Sequence, residues 1–348
     1  NTTGTDNVAI SAYALDANTT GNSNVAVGKI ALSTNTTGHQ NTALGSQALA
    51  SNTTASNNTG VGYLSLRANT TGSDNSGLGV AVLDANTTGI NNTAMGSFAL
   101  SANTTGQDNT VVGTEAAKTN TSGANITAIG RSALFANTTG TKNVAVGSQA
   151  LRTNTTAGNN TAVGYDALGA NTTGTANVAI GTDCLDANST GDYNVGIGNG
   201  ALGTNTTANN NVAVGYLSLH LNTTGTSNTA VGYKSLNANT TGDQNTAFGY
   251  TALENNTTAG GNTAFGDRAA AANTTGANNT AVGNAAMRDN STGYSLVAVG
   301  KSALLLNSTG ISNTAIGKDA SRGNTTGSNN TAVGADALTA NGASNNTA

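Results

Sequence analysis

Residues Asn137–Thr153 read NTTGTKNVAVGSQALRT. The same pattern fills residues 1–340 in twenty copies of seventeen residues, without an insertion or a deletion. A fixed period of this size is typical of stacked supersecondary units and not of a globular domain. We therefore expect one uninterrupted repeat array over residues 1–348, in which residues 341–348 begin a partial copy. Positions 1–17 of each copy are counted below from its first asparagine, so that Asn137 is at position 1.

The segment Asn143–Gly147 predicts a β-strand rather than a helix. Asn, Thr and Gly are weak helix formers and dominate every copy. Short β-branched runs bounded by Asn and Gly are typical of strands joined by turns. Seventeen residues are enough for a small coil with two or three short strands. The predicted fold is all-β, a parallel β-solenoid, or β-roll, of twenty seventeen-residue coils.

Two columns of the repeat are apolar enough to predict a core. Position 10 is apolar in all twenty copies, as at Val146, and position 15 is Leu in most copies, as at Leu151. Positions 5, 6, 12, 13 and 16 accept almost any residue, which is typical of solvated corners. Positions 9 and 14 stay small, so a neighbouring rod could approach them or they could clear a corner of the coil. Proline is absent, which suggests that most backbone N–H groups bond to adjacent coils.

Position 7 predicts a buried ladder of amides. It is Asn in all copies except two, which carry Ile126 and Leu296, so this column is expected to point inward. Stacked asparagine amides can donate to and accept from the identical group one coil away. The candidate ladder is formed by Asn7, Asn24, Asn41, Asn58, Asn75, Asn92 and Asn109.

The motif Asn177-Val178-Ala179-Ile180-Gly181 resembles the head-domain repeats of trimeric autotransporter adhesins. The same signature recurs at Asn24–Gly28 and Asn211–Gly215. The chain also resembles the Asn-Thr-Ala-Val-Gly repeat tracts of tail-fibre-like and surface-fibre proteins. The resemblance implies a left-handed β-roll, assembled as a trimer, on an extracellular fibre. This repeat is longer than that of the adhesin heads, and the extra length lies around Asn-Thr-Thr-Gly.

Composition excludes several classes of function. Only 8% of the residues are charged and the net charge is −4, which is too weak to indicate a nucleic acid as partner. No stretch is long and apolar enough to predict insertion into a membrane. The single Cys184 shares its column with Ala, Ser and Val and is expected to be a small buried residue. We find no catalytic, cofactor-binding or metal-binding constellation, so neither an enzyme nor a cofactor is predicted.

Asn-x-Ser/Thr at the head of each copy, in most copies Asn-Thr-Thr, suggests attached glycans, because it is the acceptor pattern for N-glycosylation. The competing interpretation is local, since Asn and Thr side chains bond the backbone in turns. We expect this column to lie on an exposed corner, where either Asn or Thr could carry sugar. The candidate acceptors are Asn1, Asn18, Asn35, Asn52, Asn69, Asn86, Asn103, Asn120, Asn137, Asn154, Asn171, Asn188, Asn205, Asn222, Asn239, Asn256, Asn273, Asn290, Asn307 and Asn324.

The sequence favours a structural role, as the rigid rod of an extracellular or cell-surface fibre, filament or adhesin. The expected partner is another copy of the chain, in a trimer, a bundle or an end-to-end filament. End-to-end stacking, or further chain, is expected because the first copy at Asn1 has no cap and open strand edges need cover. The alternative is a binding module: an adhesin head that binds a receptor, a phage tail-fibre shaft or an ice-binding protein. An ice-binding Thr-x-Thr plane is not expected, because adjacent threonines face opposite ways and position 8 is predicted to face inward.

Overall fold

The computed structural model describes residues 1–340 and 342–348. The opening residue of the predicted partial copy, Asn341, lies outside the described residues. The chain divides into two compact units, Asn1–Thr175 and Ala176–Ala348, which are described separately. The described residues contain no helix, and each of the twenty copies contributes one three-residue strand where two or three were expected.

The strands lie at positions 8–10 of every copy. In the first unit they are β1 Val8–Ile10, β2 Val25–Val27, β3 Thr42–Leu44, β4 Thr59–Val61, β5 Ser76–Leu78, β6 Thr93–Met95, β7 Thr110–Val112, β8 Thr127–Ile129, β9 Val144–Val146 and β10 Thr161–Val163. In the second unit they are β11 Val178–Ile180, β12 Val195–Ile197, β13 Val212–Val214, β14 Thr229–Val231, β15 Thr246–Phe248, β16 Thr263–Phe265, β17 Thr280–Val282, β18 Val297–Val299, β19 Thr314–Ile316 and β20 Thr331–Val333.

Within each unit, every strand pairs in parallel with the strand of the next copy. In the first unit Val25 pairs with Thr42 and Ala26 with Ala43, and in the second unit Val212 pairs with Thr229. The register shift is one repeat throughout, so equivalent residues are stacked along the axis of each unit. Each unit is therefore a parallel β-solenoid, which confirms the predicted fold class.

Backbone hydrogen bonds join neighbouring coils well beyond the strands. The N–H of Leu32 donates to the carbonyl of Ala48 in the next copy at 2.9 Å, whereas the N–H of Gly28 donates to Ile10 in the preceding copy at 3.0 Å. Turn residues follow the same rule, since the N–H of Gln40 reaches the carbonyl of Asn22. A proline would delete one of these bonds in most places, which explains the absence of proline.

The strands decide which side chains enter the coil. Successive residues of a strand point to opposite faces, and here position 9 points inward while positions 8 and 10 point outward. Ala145 is fully buried, whereas Val144 and Val146 are half-buried. The predictions that positions 8 and 10 face the interior are therefore wrong.

The core is built from small residues and one large aliphatic column. Ala133 and Leu134, at positions 14 and 15, are fully buried, and the same holds for most of their equivalents. The position 15 prediction is confirmed. Position 10 is excluded from this core because the interior already holds the leucine column, two alanine columns and two asparagine columns.

The turns depend on left-handed backbone at several positions of each copy. The leucines at position 15 have φ between 50° and 55°, and glycines at position 11 have φ between 127° and 142°. Left-handed backbone costs a residue with a side chain about 1–2 kcal/mol, which is comparable with the roughly 1.5–3 kcal/mol that burying a leucine contributes. Leucine at position 15 therefore remains favourable despite its backbone.

Glycine is required at position 11 for a second reason. A Cβ atom placed on Gly28 would lie 2.5 Å from the carbonyl oxygen of Gly45 in the next coil. Coils of identical shape cannot separate locally to make room, because their strands are bonded on both sides. The column is accordingly Gly in every copy after Ser11.

In one copy, a large residue at position 14 is matched by a small one at position 9. In the fifth copy the pair is Gly77 and Val82, whereas most copies carry two alanines, as at Ala94 and Ala99. A Cβ atom on Gly77 would lie 3.0 Å from a methyl group of Val82 and 3.0 Å from the hydroxyl of Ser65. The larger Val82 therefore depends on the missing side chain at position 77.

A double-mutant cycle tests this compensation. Gly77→Ala should lower the free energy of unfolding by about 1–3 kcal/mol, because overpacking forces side chains out of their rotamers. Val82→Ala should also be destabilising, since it leaves a cavity. In the double variant, the free energy of unfolding should fall by less than the sum of the two single losses, as measured by denaturant unfolding. Strict additivity would show that the two side chains do not share this space.

Candidate functional surfaces

Position 7 asparagines form a buried ladder inside each unit. The side-chain oxygen of Asn24 accepts a bond from the backbone N–H of Asn41 at 3.0 Å and lies 3.2 Å from the Asn41 amide nitrogen. The Asn41 amide also donates to the carbonyl of Ala55 at 2.9 Å. These side chains are fully buried. The arrangement agrees with the predicted ladder, and Asn24, Asn41, Asn58, Asn75, Asn92 and Asn109 all take part in it. Asn7 is the first acceptor.

The ladder is interrupted where position 7 is aliphatic. The backbone N–H of Ile126 donates to the side-chain oxygen of Asn109 at 3.1 Å, but the Ile126 side chain has no oxygen that could accept from the next coil. The backbone N–H of Asn143 then has no hydrogen-bond partner among the described residues. Leu296 has the same effect on Asn313. Each site also lacks the side-chain amide that would donate to the position 4 carbonyl of the next coil, Gly140 or Gly310, which within the described part of the chain accepts only from the asparagine of its own copy. Two inter-coil bonds are therefore lost at each site, and a buried aliphatic side chain is gained.

Position 1 asparagines form a second buried column. The amide nitrogen of Asn137 lies 2.7 Å from the side-chain oxygen of Asn120 and 3.0 Å from the carbonyl oxygen of Gly140. Its own oxygen accepts from Asn154 at 3.0 Å. Asn1 is exposed at the first coil, whereas its equivalents are buried.

The expectation that the position 1 column is exposed is therefore wrong beyond Asn1. An N-linked sugar would replace an amide hydrogen that bonds inside the coil, and would need space in a packed interior. The affected candidates are Asn18, Asn35, Asn52, Asn69, Asn86, Asn103, Asn120, Asn137, Asn154, Asn171, Asn188, Asn205, Asn222, Asn239, Asn256, Asn273, Asn290, Asn307 and Asn324.

The two asparagine columns meet at the carbonyl of position 4. The Gly38 oxygen accepts from Asn35 of its own copy at 3.0 Å and from Asn24 of the preceding copy at 2.9 Å. A carbonyl oxygen has two lone pairs, so this acceptor is fully used. Position 4 is Gly or Ala in every copy because the amides crowd around it.

Threonine hydroxyls at positions 2 and 3 have different surroundings. The Thr138 hydroxyl, at position 2, donates to the carbonyl of Thr155 in the next copy at 3.1 Å. The Thr139 hydroxyl, at position 3, is exposed and has no hydrogen-bond partner among the described residues. Position 2 therefore stabilises the stack, whereas position 3 faces solvent.

Outward side chains at positions 8 and 10 form what we call the apolar face. Its position 10 residues include Leu78, Met95 and Phe265, whose exposed fractions are 46%, 47% and 54%. Position 8 carries only Thr, Val and Ser, so neither column holds a charge in any copy. A shallow depression of about 170 Å³ opens on this face, between Leu78 and Met95 beside Ser76. Sequence reasoning recognised the apolar column but assigned it to the wrong side of the strand.

Aromatic rings are stacked along the second unit. At position 12, the ring centroids of Tyr216 and Tyr233 are 5.5 Å apart, and those of Tyr233 and Tyr250 are 5.2 Å apart. At position 10, the rings of Phe248 and Phe265 are 5.0 Å apart and nearly parallel. These spacings follow the coil repeat, since stacked strands lie about 4.8 Å apart.

Cys184 is fully buried at position 14, as predicted. Burial raises the pKa of its thiol to about 12; a hydrogen bond with the backbone of Ile180 opposes this shift, and the Asp186 charge adds to it. Within residues 1–340 and 342–348, no group of three or more His, Cys, Asp or Glu side chains could hold a metal ion.

Ion pairs lie at the periphery. Arg288 and Asp289 form an ion pair with an N–O distance of 2.6 Å, and both side chains are more than one-third exposed. Exposed pairs of this kind contribute about 0–1 kcal/mol. Charge therefore has little part in holding the coils together.

Comparisons with known proteins give no family for this chain. No protein-family profile matches it, and no curated protein matches it as a relative. In the part of the chain that the structure describes, no helix has the length and apolarity needed to cross a membrane.

Asn137→Asp should be strongly destabilising at neutral pH. The carboxylate cannot donate to Asn120 or Gly140, and it places an unpaired charge in the interior. We expect the free energy of unfolding to fall by at least about 3 kcal/mol. Burial should raise the pKa of the new carboxyl group, so the loss should shrink as the pH falls towards 4.

The matched control is Asn125→Asp, which places the same group on an exposed corner. Its effect should stay within about 0.5 kcal/mol. Denaturant unfolding at pH 7 and pH 4 measures both variants. Equal, small effects for the two would contradict the buried position 1 column.

The Cys184 thiol should be unreactive towards a disulfide reagent until the protein unfolds. A free cysteine has a pKa of about 8.5, so between that pH and 12 the unfolded chain loses a proton that the folded chain keeps. Stability should therefore fall as the pH rises through this window. Cys184→Ala, which installs the usual residue of the column, should show a weaker decline in thermal midpoint. Identical pH profiles would show that the thiol is accessible.

Proposed function

We propose that this chain is a structural protein of an extracellular fibre or filament, in which the β-solenoid serves as the rigid rod of a surface fibre or adhesin. The apolar face is the observation that carries the proposal. Its position 10 column is apolar in twenty copies out of twenty, although it does not build the chain's own core. Such a constraint on an exposed column is expected when a partner covers it.

A second copy of the chain is the partner that fits this face. Ten strands at about 4.8 Å spacing, with outward residues about 6.7 Å apart along each strand, give roughly 300 Å² of flat surface in each unit. The largest exposed apolar patch of an ordinary monomer covers about 300–600 Å² and is often functional. The face is uncharged and repeats at the coil spacing, so another copy presents a surface of the same period and polarity. Self-association in a trimer or bundle would cover it.

Extracellular placement rests on the resemblance to adhesin heads and tail-fibre-like repeats. It is consistent with a surface that is poor in charge and with coils whose backbone bonds are used between neighbours. Inter-coil bonding of this density supports a load-bearing role, since bending or unwinding must break many bonds together.

Ice binding gains no support from the outward orientation of position 8. Seven copies carry Val there, including Val195 and Val212 in adjacent coils, and one carries Ser76. The column beside it, position 10, has no hydroxyl at all. The face therefore lacks a continuous hydroxyl array. An adhesin surface for another partner remains the alternative, and the aromatic stacks of the second unit are where it would be found.

Lysines on the apolar face test the proposal. The full chain with Leu78→Lys, Met95→Lys, Phe248→Lys and Phe265→Lys should be monomeric, whereas the unmodified chain should associate, as measured by sedimentation velocity over a range of concentrations. Burying a lysine against an apolar partner is unfavourable because its charge would be desolvated. Circular dichroism should be unchanged, since these side chains point outward.

The control carries four lysines at position 12, where Lys29 and Lys301 occur naturally. Its substitutions are Ser46→Lys, Ser97→Lys, Ser148→Lys and Thr182→Lys. This variant should associate like the unmodified chain. A monomeric unmodified chain at high concentration, or equal association of both lysine variants, would refute a self-association face.

A further inference from the structure

Position 3 is restricted to Thr and Ser, and no contact within the folded chain explains this restriction. It is Thr in nineteen copies and Ser122 in the remaining one, and all twenty side chains are exposed. Another strongly exposed column, position 6, varies freely and carries Asp108, Lys142 and Tyr193. A fixed residue type on an open corner indicates a role outside the coil.

The constrained feature is the hydroxyl group and not the branched shape. Thr and Val exchange freely at position 8, as at Thr161 and Val178, because a half-buried strand site accepts either. Val and Ile never occur at position 3, although both share the β-branched backbone preference of Thr. Among the described residues, the hydroxyls of position 3 make no hydrogen bond.

Neither neighbouring position accounts for this hydroxyl. Position 2 is restricted to Thr and Ser for a visible reason, since its hydroxyl bonds the next coil, as Thr138 does with Thr155. Position 3 is also the hydroxyl residue of the Asn-x-Thr acceptor pattern, but the asparagine of that pattern is buried and bonded in the folded coil, as at Asn137. The hydroxyl of position 3 is left as the accessible group.

We propose that the position 3 column is an O-glycosylation surface, in which the Thr and Ser hydroxyls carry sugars. Each Oγ would attack the anomeric carbon of a nucleoside-diphosphate sugar bound to a glycosyltransferase. A C–O glycosidic bond forms, the bond from the anomeric carbon to the diphosphate breaks, the nucleoside diphosphate leaves, and the hydroxyl proton passes to a base of the transferase. No oxidation or reduction is involved.

The local geometry suits this modification. The residue after each acceptor is Gly or Ala, so no bulky side chain flanks it on that side. Acceptors recur at about 4.8 Å along the axis of each unit, the spacing of stacked strands. The result would be a continuous line of sugars on a surface with few charges, and attached sugars increase solubility.

A water-ordering array is the competing use of these hydroxyls. It requires a flat surface, whereas only one exposed hydroxyl column is present on this corner. Position 2 is less exposed and its hydroxyl is already bonded, and positions 5 and 6 carry side chains of many sizes. The geometry therefore favours covalent modification of single hydroxyls.

The tryptic peptide Ser132–Lys142 of the full chain, purified from its natural source, provides the test. It contains Ser132, Thr138, Thr139 and Thr141, which lie at positions 13, 2, 3 and 5. Electron-transfer fragmentation should place a sugar mass on Thr139 and on none of the others. The adjoining peptide Asn143–Arg152 contains no position 3 residue and should be unmodified.

Two variants made in the same source separate modification from folding. Thr139→Val should remove the sugar from this peptide and leave the thermal midpoint of the sugar-free protein unchanged, whereas Thr139→Ser should keep the sugar. An intact mass equal to that of the unmodified sequence would overturn the proposal, as would sugar on Asn137 or Thr138. Thermal hysteresis by an unmodified chain would favour the water-ordering use instead. None of these results depends on self-association through the apolar face.

Discussion

The carbonyl oxygen of position 4 is the acceptor on which the stack depends. In most coils it receives one amide from the asparagine that opens its own copy and one from the asparagine at position 7 of the preceding copy, as Gly38 does from Asn35 and Asn24. The same oxygen atom therefore takes part in a hydrogen bond within its own coil and in one with the neighbouring coil. A buried amide left without a partner costs about 1–3 kcal/mol, so neither column can slip without losses in every coil.

The amide columns also decide how much room is left for apolar residues. Two asparagines, two alanines and one leucine fill the section of each coil, and a second large aliphatic column does not fit. Val146 and its equivalents are therefore on the outside, where they shape the surface and not the core. The interior is stabilised by many weak hydrogen bonds, repeated in each coil, and by the leucine column. The unusual feature of the surface is the uncharged apolar face.

The repeat made the fold class predictable, because its strict period, short β-branched segment and lack of proline all favour stacked coils. The buried leucine column was also predictable. The inward direction of the position 7 asparagines was predictable because Ile126 and Leu296 occur in the same column, and aliphatic residues fit a buried site. Which side chains of the three-residue strand point into the coil was not predictable. Ala145 and Val146 are both apolar, and only the space inside the coil determines that the smaller one enters.

The position 1 asparagines were misplaced for a related reason. A turn motif such as Asn-Thr-Thr-Gly is usually exposed, and only the stacking of identical turns buries its first side chain. The exposed hydroxyl of position 3 could be recognised only after the bonds of position 2 were known, because both columns contain the same residue types. The sequence shows which repeat positions are restricted to certain residue types, and the three-dimensional structure shows which atom of the side chain explains the restriction.

Because each interior coil gives its donors and acceptors to the coil before it and the coil after it, any such coil can serve as a neighbour for any other. Insertion or loss of a whole seventeen-residue unit leaves the bonding pattern at the junction intact. Genes that encode such arrays can therefore lengthen or shorten the product by unequal recombination without a redesign of its interior. The number of coils in such a molecule can therefore evolve separately from its stability.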